Sequence, residues 1–371
     1  MAADRAETLF RRVAGGEGGP FWLAGLRGLA RAASWPYGLA AGVKNNLYDL
    51  GLLRPRRLPA PVIGVGNITV GGTGKTPVVM EVAAALGRMG LPAGIISRGY
   101  GRQGEGSIRW VSRGGGLLAG FAEAGDEPML LARRLKVPVA VGADRWAVGK
   151  EMLASCGSRV LLCDDLFQHR RLHRDLDLLC LDAAQPLGNG ALLPRGPLRE
   201  PAAGMRRAQV VVLTRAGDAR QTERARRWLR NFWGPGPVLA CWHKIDCLVD
   251  RAGREINSHE LAGRPVVAFC GLARPRAFAG GLSELGLTVL ELKAFADHHP
   301  FTGQEIADLW SLARARGAEA LICSEKDEVR LPSLPEEVRI WTTRLWLEFI
   351  GGPAALEGAL AWGLKDWGLS K

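Results

Sequence analysis

The chain reads as an α/β protein: a P-loop NTPase-like, mainly parallel sheet with helices on both faces, followed by a second, smaller α/β domain. Three observations predict this class. Short apolar runs recur without polar alternation, the pattern of strands buried on both faces. Segments of helical periodicity lie between several of them, the βα alternation of a parallel sheet. A glycine-rich loop, Gly66-Asn67-Ile68-Thr69-Val70-Gly71-Gly72-Thr73-Gly74-Lys75-Thr76, follows the first run and opens a helix. That is the context in which backbone N–H groups close around phosphate oxygens.

The elements follow in order. Leu23, Leu26, Ala30 and Ala33 recur at helical spacing, and Arg27 and Arg31 share another face. With Phe21, Trp22, Trp35, Tyr37 and Tyr48 this predicts an amphipathic helix that Pro36 ends or kinks. Residues 1–58 carry nine basic residues against four acidic ones, a net +5. An interfacial membrane anchor and a helix packed on the protein's own core with a solvated basic face both fit this stretch. Strands are expected at Pro61–Val65, Ala93–Ile96, Val137–Val141, Val160–Cys163, Leu178–Leu181 and Val210–Leu213, with helices at Lys75–Met89, Asp126–Leu135, Asp144–Ser155 and Asp218–Phe232. Further strands are expected at Val238–Trp242, Ile245–Val249, Pro265–Phe269, Leu287–Leu290, Ala320–Cys323 and Ile340–Phe349. Helices at Pro275–Glu284, Gly303–Ala315 and 353–366 complete the pattern. The resulting division is an N-terminal amphipathic region (1–58), a phosphate-loop domain (59–240), a smaller α/β domain (241–350) and a C-terminal helix (351–371).

Composition narrows the partners. Lys and Arg number 49 against 37 Asp and Glu, a net charge of +12, so an anionic partner is expected. No helix-turn-helix, RNA-recognition motif or dense basic tract is present, which argues against nucleic acid. The seven cysteines are scattered, mostly in apolar runs, and no CxxC occurs, so free thiols in a reducing compartment are expected. Neither a signal peptide nor a spanning helix is expected.

In the loop, Thr69, Val70, Gly71, Gly72, Thr73, Gly74, Lys75 and Thr76 are the candidate nucleotide contacts. Lys75 would reach the β- and γ-phosphates, and Thr76 Oγ1 would ligate Mg²⁺. Thr69 stands where the common pattern has its first glycine. Asp164 and Asp165 close an apolar run and offer a second Mg²⁺ ligand, although acids capping a following helix would look the same. His243-Lys244-Ile245-Asp246 lacks the Asn of a guanine-recognition motif. A soluble P-loop kinase or GTPase for a small metabolite is the competing reading at this point.

Further segments decide between them. These are Ser97-Arg98-Gly99-Tyr100-Gly101-Arg102, Gly125-Asp126-Glu127-Pro128, Asp144-Arg145, Asp164-Asp165-Leu166-Phe167-Gln168-His169, Gly188-Asn189-Gly190, Leu193-Pro194-Arg195-Gly196-Pro197-Leu198-Arg199-Glu200, Phe295-Ala296-Asp297-His298-His299 and Ser324-Glu325-Lys326-Asp327. In this order around a phosphate loop they resemble the tetraacyldisaccharide 4′-kinase (lipid A 4′-kinase) family, from about residue 20 to 350. Leu166 replaces the family's usual Gly, Ser324 the commoner Thr, and Arg195 a small residue.

The resemblance implies an ATP- and Mg²⁺-dependent kinase at the cytoplasmic face of the bacterial inner membrane. Its substrate would be a tetraacylated glucosamine disaccharide 1-phosphate, phosphorylated at the 4′-hydroxyl to give lipid IV-A. It also favours the membrane reading of the N-terminal helix. It implies Asp126 as the base, with His298 as its orienter or relay, Glu200 near the metal and Gln168 near the phosphates. On residue chemistry alone Asp126 could equally be a helix N-cap and His298 a surface histidine. Arg145 and Arg199 are the arginines expected near the γ-phosphate or substrate phosphate, because a guanidinium suits phosphate oxygens. Arg98 and Tyr100 are expected on a substrate-side loop.

Overall fold

The structure, a computed structural model, describes residues 9–10, 12–15, 21–99, 102, 108–234, 236–257 and 260–368. Tyr100 and Gly101 of the expected substrate-side loop lie outside the described residues.

Helix α1 (Phe21–Asp49) continues past Pro36, so of the two expected outcomes the proline does not end the segment. A proline inside a helix forfeits a hydrogen bond and clashes with the preceding turn, at a cost of about 3 kcal/mol. Contacts to the body on both sides of it offset that cost. Before Pro36, Ser34 Oγ donates to Leu192 O at 2.9 Å. After it, Tyr37 Oη donates to Arg199 O at 2.7 Å and Asn45 Nδ2 to Glu200 at 2.8 Å.

Then follow β1 (Val62–Gly66), α2 (Lys75–Arg88), β2 (Ala93–Ser97), β3 (Arg109–Arg113), α3 (Asp126–Arg134), β4 (Pro138–Val141), α4 (Arg145–Cys156), β5 (Val160–Asp164), β6 (Leu176–Asp182), β7 (Val210–Thr214), α5 (Ala219–Phe232) and β8 (Val238–Asp250). The second half holds β9 (Glu255–Ile256), β10 (Pro265–Cys270), α6 (Pro275–Glu284), β11 (Thr288–Ala294), α7 (Gly303–Ala315), β12 (Ala320–Ser324), α8 (Glu325–Glu328), β13 (Ile340–Phe349) and α9 (Pro353–Gly363). Asp144 and Asp218, expected as first helical residues, are instead N-caps whose carboxylates accept from the second and third backbone N–H groups of the helices they precede.

All strands join one sheet of order β11-β10-β12-β13-β8-β7-β6-β1-β5-β2-β4-β3, with β9 paired to β8. Every adjacent pair on this path is parallel except β13 with β8 and β4 with β3. Alternate residues of the central strands feed opposite cores. Ile63, Leu162 and Leu178 pack under α2, α3 and α9, while Leu161, Leu179 and Val211 pack under α4 and α5. Helices α7 and α6 cover the two faces of the second half in the same way.

The two strands expected at Val238–Trp242 and Ile245–Val249 are one long strand. Its first part pairs with β7 in parallel and its remainder with β13 in antiparallel. The expected division at 240/241 therefore falls inside β8. Among the described residues, no helix is long and apolar enough to cross a membrane.

Candidate active site

The phosphate loop leaves the end of β1, flanked by β5 and β6, where a parallel α/β sheet opens its ligand crevice. Thr69 forms an antiparallel bridge with Leu198, so the position where a glycine is usual is extended backbone that threonine fits. Left-handed conformations fall instead on Gly71 (φ 99°) and Gly74 (φ 79°). Val70 N donates to Pro197 O at 2.7 Å and Arg199 N to Ile68 O at 2.8 Å, which carries Arg199 and Glu200 to the loop. Asn67 Nδ2 donates to Thr73 Oγ1 and Thr214 Oγ1 to Thr73 O, fixing the loop from both sides. Lys75 and Thr76 then start α2, facing the cleft.

The carboxylates beside the loop differ in their partners. Asp165 lies 3.5 Å from Lys75 Nζ and 2.9 Å from Arg199, and these cations hold its pKa low against burial. Asp164 is buried beside Val65, and both its oxygens lack a side-chain hydrogen-bond partner. Burial, with the charges of Glu127 and Asp165, pushes its pKa well up. A buried carboxylate with no side-chain partner, at the end of β5 beside the strand that feeds the phosphate loop, fits a divalent cation. Among the described residues no three His, Cys, Asp or Glu side chains form a metal cage, and a Mg²⁺ that keeps water and phosphate ligands needs none.

Glu200 and Arg145 differ in their access to the cleft. Glu200 lines it and is buried, accepting from Asn45, Gln168 and Arg207. Arg145 does not line the cleft. It is buried behind the carboxylates, with one N–H given to Ala143 O at 2.8 Å. Gln168 does line the cleft, donating to Asn67 O at 2.8 Å. Leu166 is wholly buried in the core. The left-handed residue of its turn is Asp165 (φ 49°), so position 166 needs no glycine. Arg195 donates to Val13 O at 3.0 Å and takes up a short N-terminal segment.

Across the cleft, Asp126 is the first residue of α3, and the cap position is Gly125. His298 Nδ1 lies 2.5 Å from Asp126 Oδ2, joining residues 172 apart in sequence. Burial would raise the Asp126 pKa, but the His298 hydrogen bond and the Lys326 charge overcome it and bring it down to about 2. His298 sits at φ 61° in a turn whose N–H donates to Gly271 O. That turn rests on an ion pair, Asp327 with Arg330 at 2.7 Å, in which both side chains are fully buried. Asp327 also accepts from Gly271 N at 2.9 Å. Sequence reasoning gave Lys326 no role, yet its Nζ is 3.3 Å from His298 Nε2 and 3.9 Å from Asp126 Oδ2.

The cleft encloses about 1530 Å³ and is walled by α1 (Tyr37, Lys44, Asn45), the loop, α3, β8 and the His298 turn. Its far end carries Arg215 and Arg274, both paired with Asp182, and His243, over Gly74. Burial and the two arginines lower the His243 pKa to about 4. His243-Lys244-Ile245-Asp246 lies within β8 and forms no base-binding loop.

A loop that cradles phosphate facing a carboxylate–histidine pair across one cavity is the design of a P-loop phosphotransferase. Sequence comparison fixes the family. The chain belongs to the tetraacyldisaccharide-1-P 4′-kinases, whose family model matches residues 26–364. It is 44% identical over 336 residues to a tetraacyldisaccharide 4′-kinase of Anaeromyxobacter dehalogenans (strain 2CP-C), covering 89% of this chain and 88% of that protein. A relative of the same name from Geobacter metallireducens is 41% identical over 82% of this chain and 88% of its own length. The crystal structure of LpxK from Aquifex aeolicus in complex with ATP superposes with a TM-score of 0.75 at 32% identity, covering 91% of this chain and 99% of that one.

Proposed function

We propose that this protein transfers the γ-phosphate of ATP to the 4′-hydroxyl of tetraacyldisaccharide 1-phosphate, giving lipid IV-A for the lipopolysaccharide anchor. The observation that carries the reading is that Lys75 and the Asp126–His298 pair line the same cleft. Family membership and the likeness to an ATP complex support the donor and the acceptor.

In this reading Lys75 and the loop N–H groups hold the β- and γ-phosphates, and Arg199 stands beside the transferred group. Asp126, ionised at any working pH, takes the proton of the 4′-hydroxyl as its oxygen bonds to the γ-phosphorus. The bond from phosphorus to the bridging oxygen breaks, and ADP leaves with that electron pair. His298 orients Asp126. Thr76 and Asp164 would hold Mg²⁺, which supplies charge neutralisation on the phosphates when bound. Asp165 and Glu200 already have partners, so we assign them to holding Lys75, Arg199 and Gln168 in place. The P-loop half and the second half supply the two walls, and their approach would exclude water that competes as acceptor.

We further propose that α1 lies on the cytoplasmic face of the inner membrane. While Ser34, Tyr37 and Asn45 face the body, Trp35 is 78% and Leu39 70% exposed, and Phe21 and Leu29 also point outward. Aromatic and aliphatic side chains over a basic segment suit a headgroup interface. The acylated substrate would reach the cleft along this helix, whose inner face lines it.

The test is incubation with ATP, Mg²⁺ and the tetraacyldisaccharide 1-phosphate. Mass spectrometry should show the glycolipid heavier by one phosphate. An unchanged glycolipid, with ATP consumed on a small soluble acceptor, would overturn the proposal.

A further inference from the structure

Lys326 lies in the first turn of α8, between two residues locked in place. On one side Glu325 is buried and paired with Arg134 at 2.5 Å. On the other, Asp327 is held by Ser324 and Arg330. Between them, Lys326 lines the cleft with a quarter of its side chain exposed. Its ammonium meets His298 Nε2 (3.3 Å), Asp126 Oδ2 (3.9 Å) and Glu127 Oε1 (3.8 Å). An ammonium only donates. The ring nitrogen facing it must therefore be a bare acceptor, and the proton of a neutral imidazole must sit on the other nitrogen.

We propose that Lys326 is a positioning residue for phosphoryl transfer: by donating to His298 Nε2 it commits His298 to carry its proton on Nδ1 and to donate it to Asp126. The proposal rests on the reading of Asp126 as base. Its chemical consequence concerns which ring nitrogen carries the proton. Without Lys326, Nε2 would face Asp297 Oδ1 at 4.0 Å while Nδ1 faces Asp126, and the proton of the ring could point to either carboxylate. A ring that donates from Nε2 to Asp297 leaves Nδ1 bare against Asp126 Oδ2, two acceptors face to face, and the hydrogen bond that orients the base is lost.

The experiment is long-range ¹H–¹⁵N correlation on ¹⁵N-histidine protein near pH 7, with His298 assigned through His298→Gln. The parent should show His298 protonated on Nδ1 and bare on Nε2. Lys326→Met should show the proton divided between Nδ1 and Nε2, and Lys326→Arg should return the parent pattern. Lys326→Met should lose on the order of 10- to 100-fold in kcat, with KM for both substrates within about twofold, and Lys326→Arg should recover part of the rate. A protonated Nε2 in the parent overturns the proposal. So does a Lys326→Met variant that loses rate with its His298 signals unchanged, or one that changes them at full kcat. The base reading fails separately, if Asp126→Asn turns over normally, and the histidine spectra are independent of that result.

Discussion

Asp327→Asn is the most searching test of how the second half builds its part of the site. The substitution keeps size and leaves an amide oxygen for Gly271 N, but it removes the partner of Arg330. Both side chains of the pair are fully buried, and a guanidinium cannot shed its charge by deprotonation. Breaking a buried ion pair from one side costs about 3–5 kcal/mol, most of it the uncompensated charge left behind. Replacing both partners by apolar groups of similar volume is often close to neutral. Asp327→Asn should therefore lose about 3–5 kcal/mol in urea unfolding near pH 7, and Asp327→Asn with Arg330→Met should recover most of it. Arg330 also donates to Gly271 O and His299 O, so the single variant should loosen the His298 turn and lower kcat before it unfolds. A loss under about 1 kcal/mol, or a double variant no better than the single one, would refute the reasoning.

Three further outcomes are expected. Lys75→Ala should cut kcat by at least about 10²- to 10³-fold while its circular dichroism stays that of the parent; wild-type turnover would remove the loop from the chemistry. Asp126 is depressed from 3.8 to about 2, so its contribution is complete above about pH 4 and is lost as pH falls through about 2. At about 1.4 kcal/mol per unit this amounts to about 2 kcal/mol, which Asp126→Asn should erase from the acid limb of the stability curve together with about 10²- to 10⁴-fold of kcat; coincident acid limbs would count against the pair. Trp35→Glu with Leu39→Glu should weaken sedimentation with anionic liposomes by at least about tenfold and leave thermal stability within about 0.5 kcal/mol, because both side chains point away from the body.

Much of this was legible in the sequence because the signals were local. Val160–Cys163 reads as a buried strand since both its faces are covered, and the loop announces itself through Gly71, Gly74 and Lys75. What stayed hidden depends on distant partners. His243 and Lys244 interrupt an apolar run and read as a break, but they are where β8 passes the cleft and turns His243 into it. The partners of Glu200, Asn45 of α1 and Arg207, lie on other elements and leave no local trace. Lys326 stands in the Ser324–Asp327 segment, but nothing local gives it a role, since Asp126 and His298 reach it from far along the chain. The edge strand β3 leaves no apolar run in the sequence, because only Val111 and Ser112 of its five residues are buried.

The course of the last helix bears on how the chain is made. Helix α9 leaves β13 in the second half and returns to the first, where Glu357 meets Arg88 at 2.6 Å and Leu356, Leu360 and Leu364 join the core over α2. During synthesis the phosphate-loop half must therefore wait, one apolar flank uncovered, until the C-terminal residues leave the ribosome. Truncation after β13 would strike the nucleotide-binding half, far away in sequence, and produce an aggregating chain in place of a shorter enzyme.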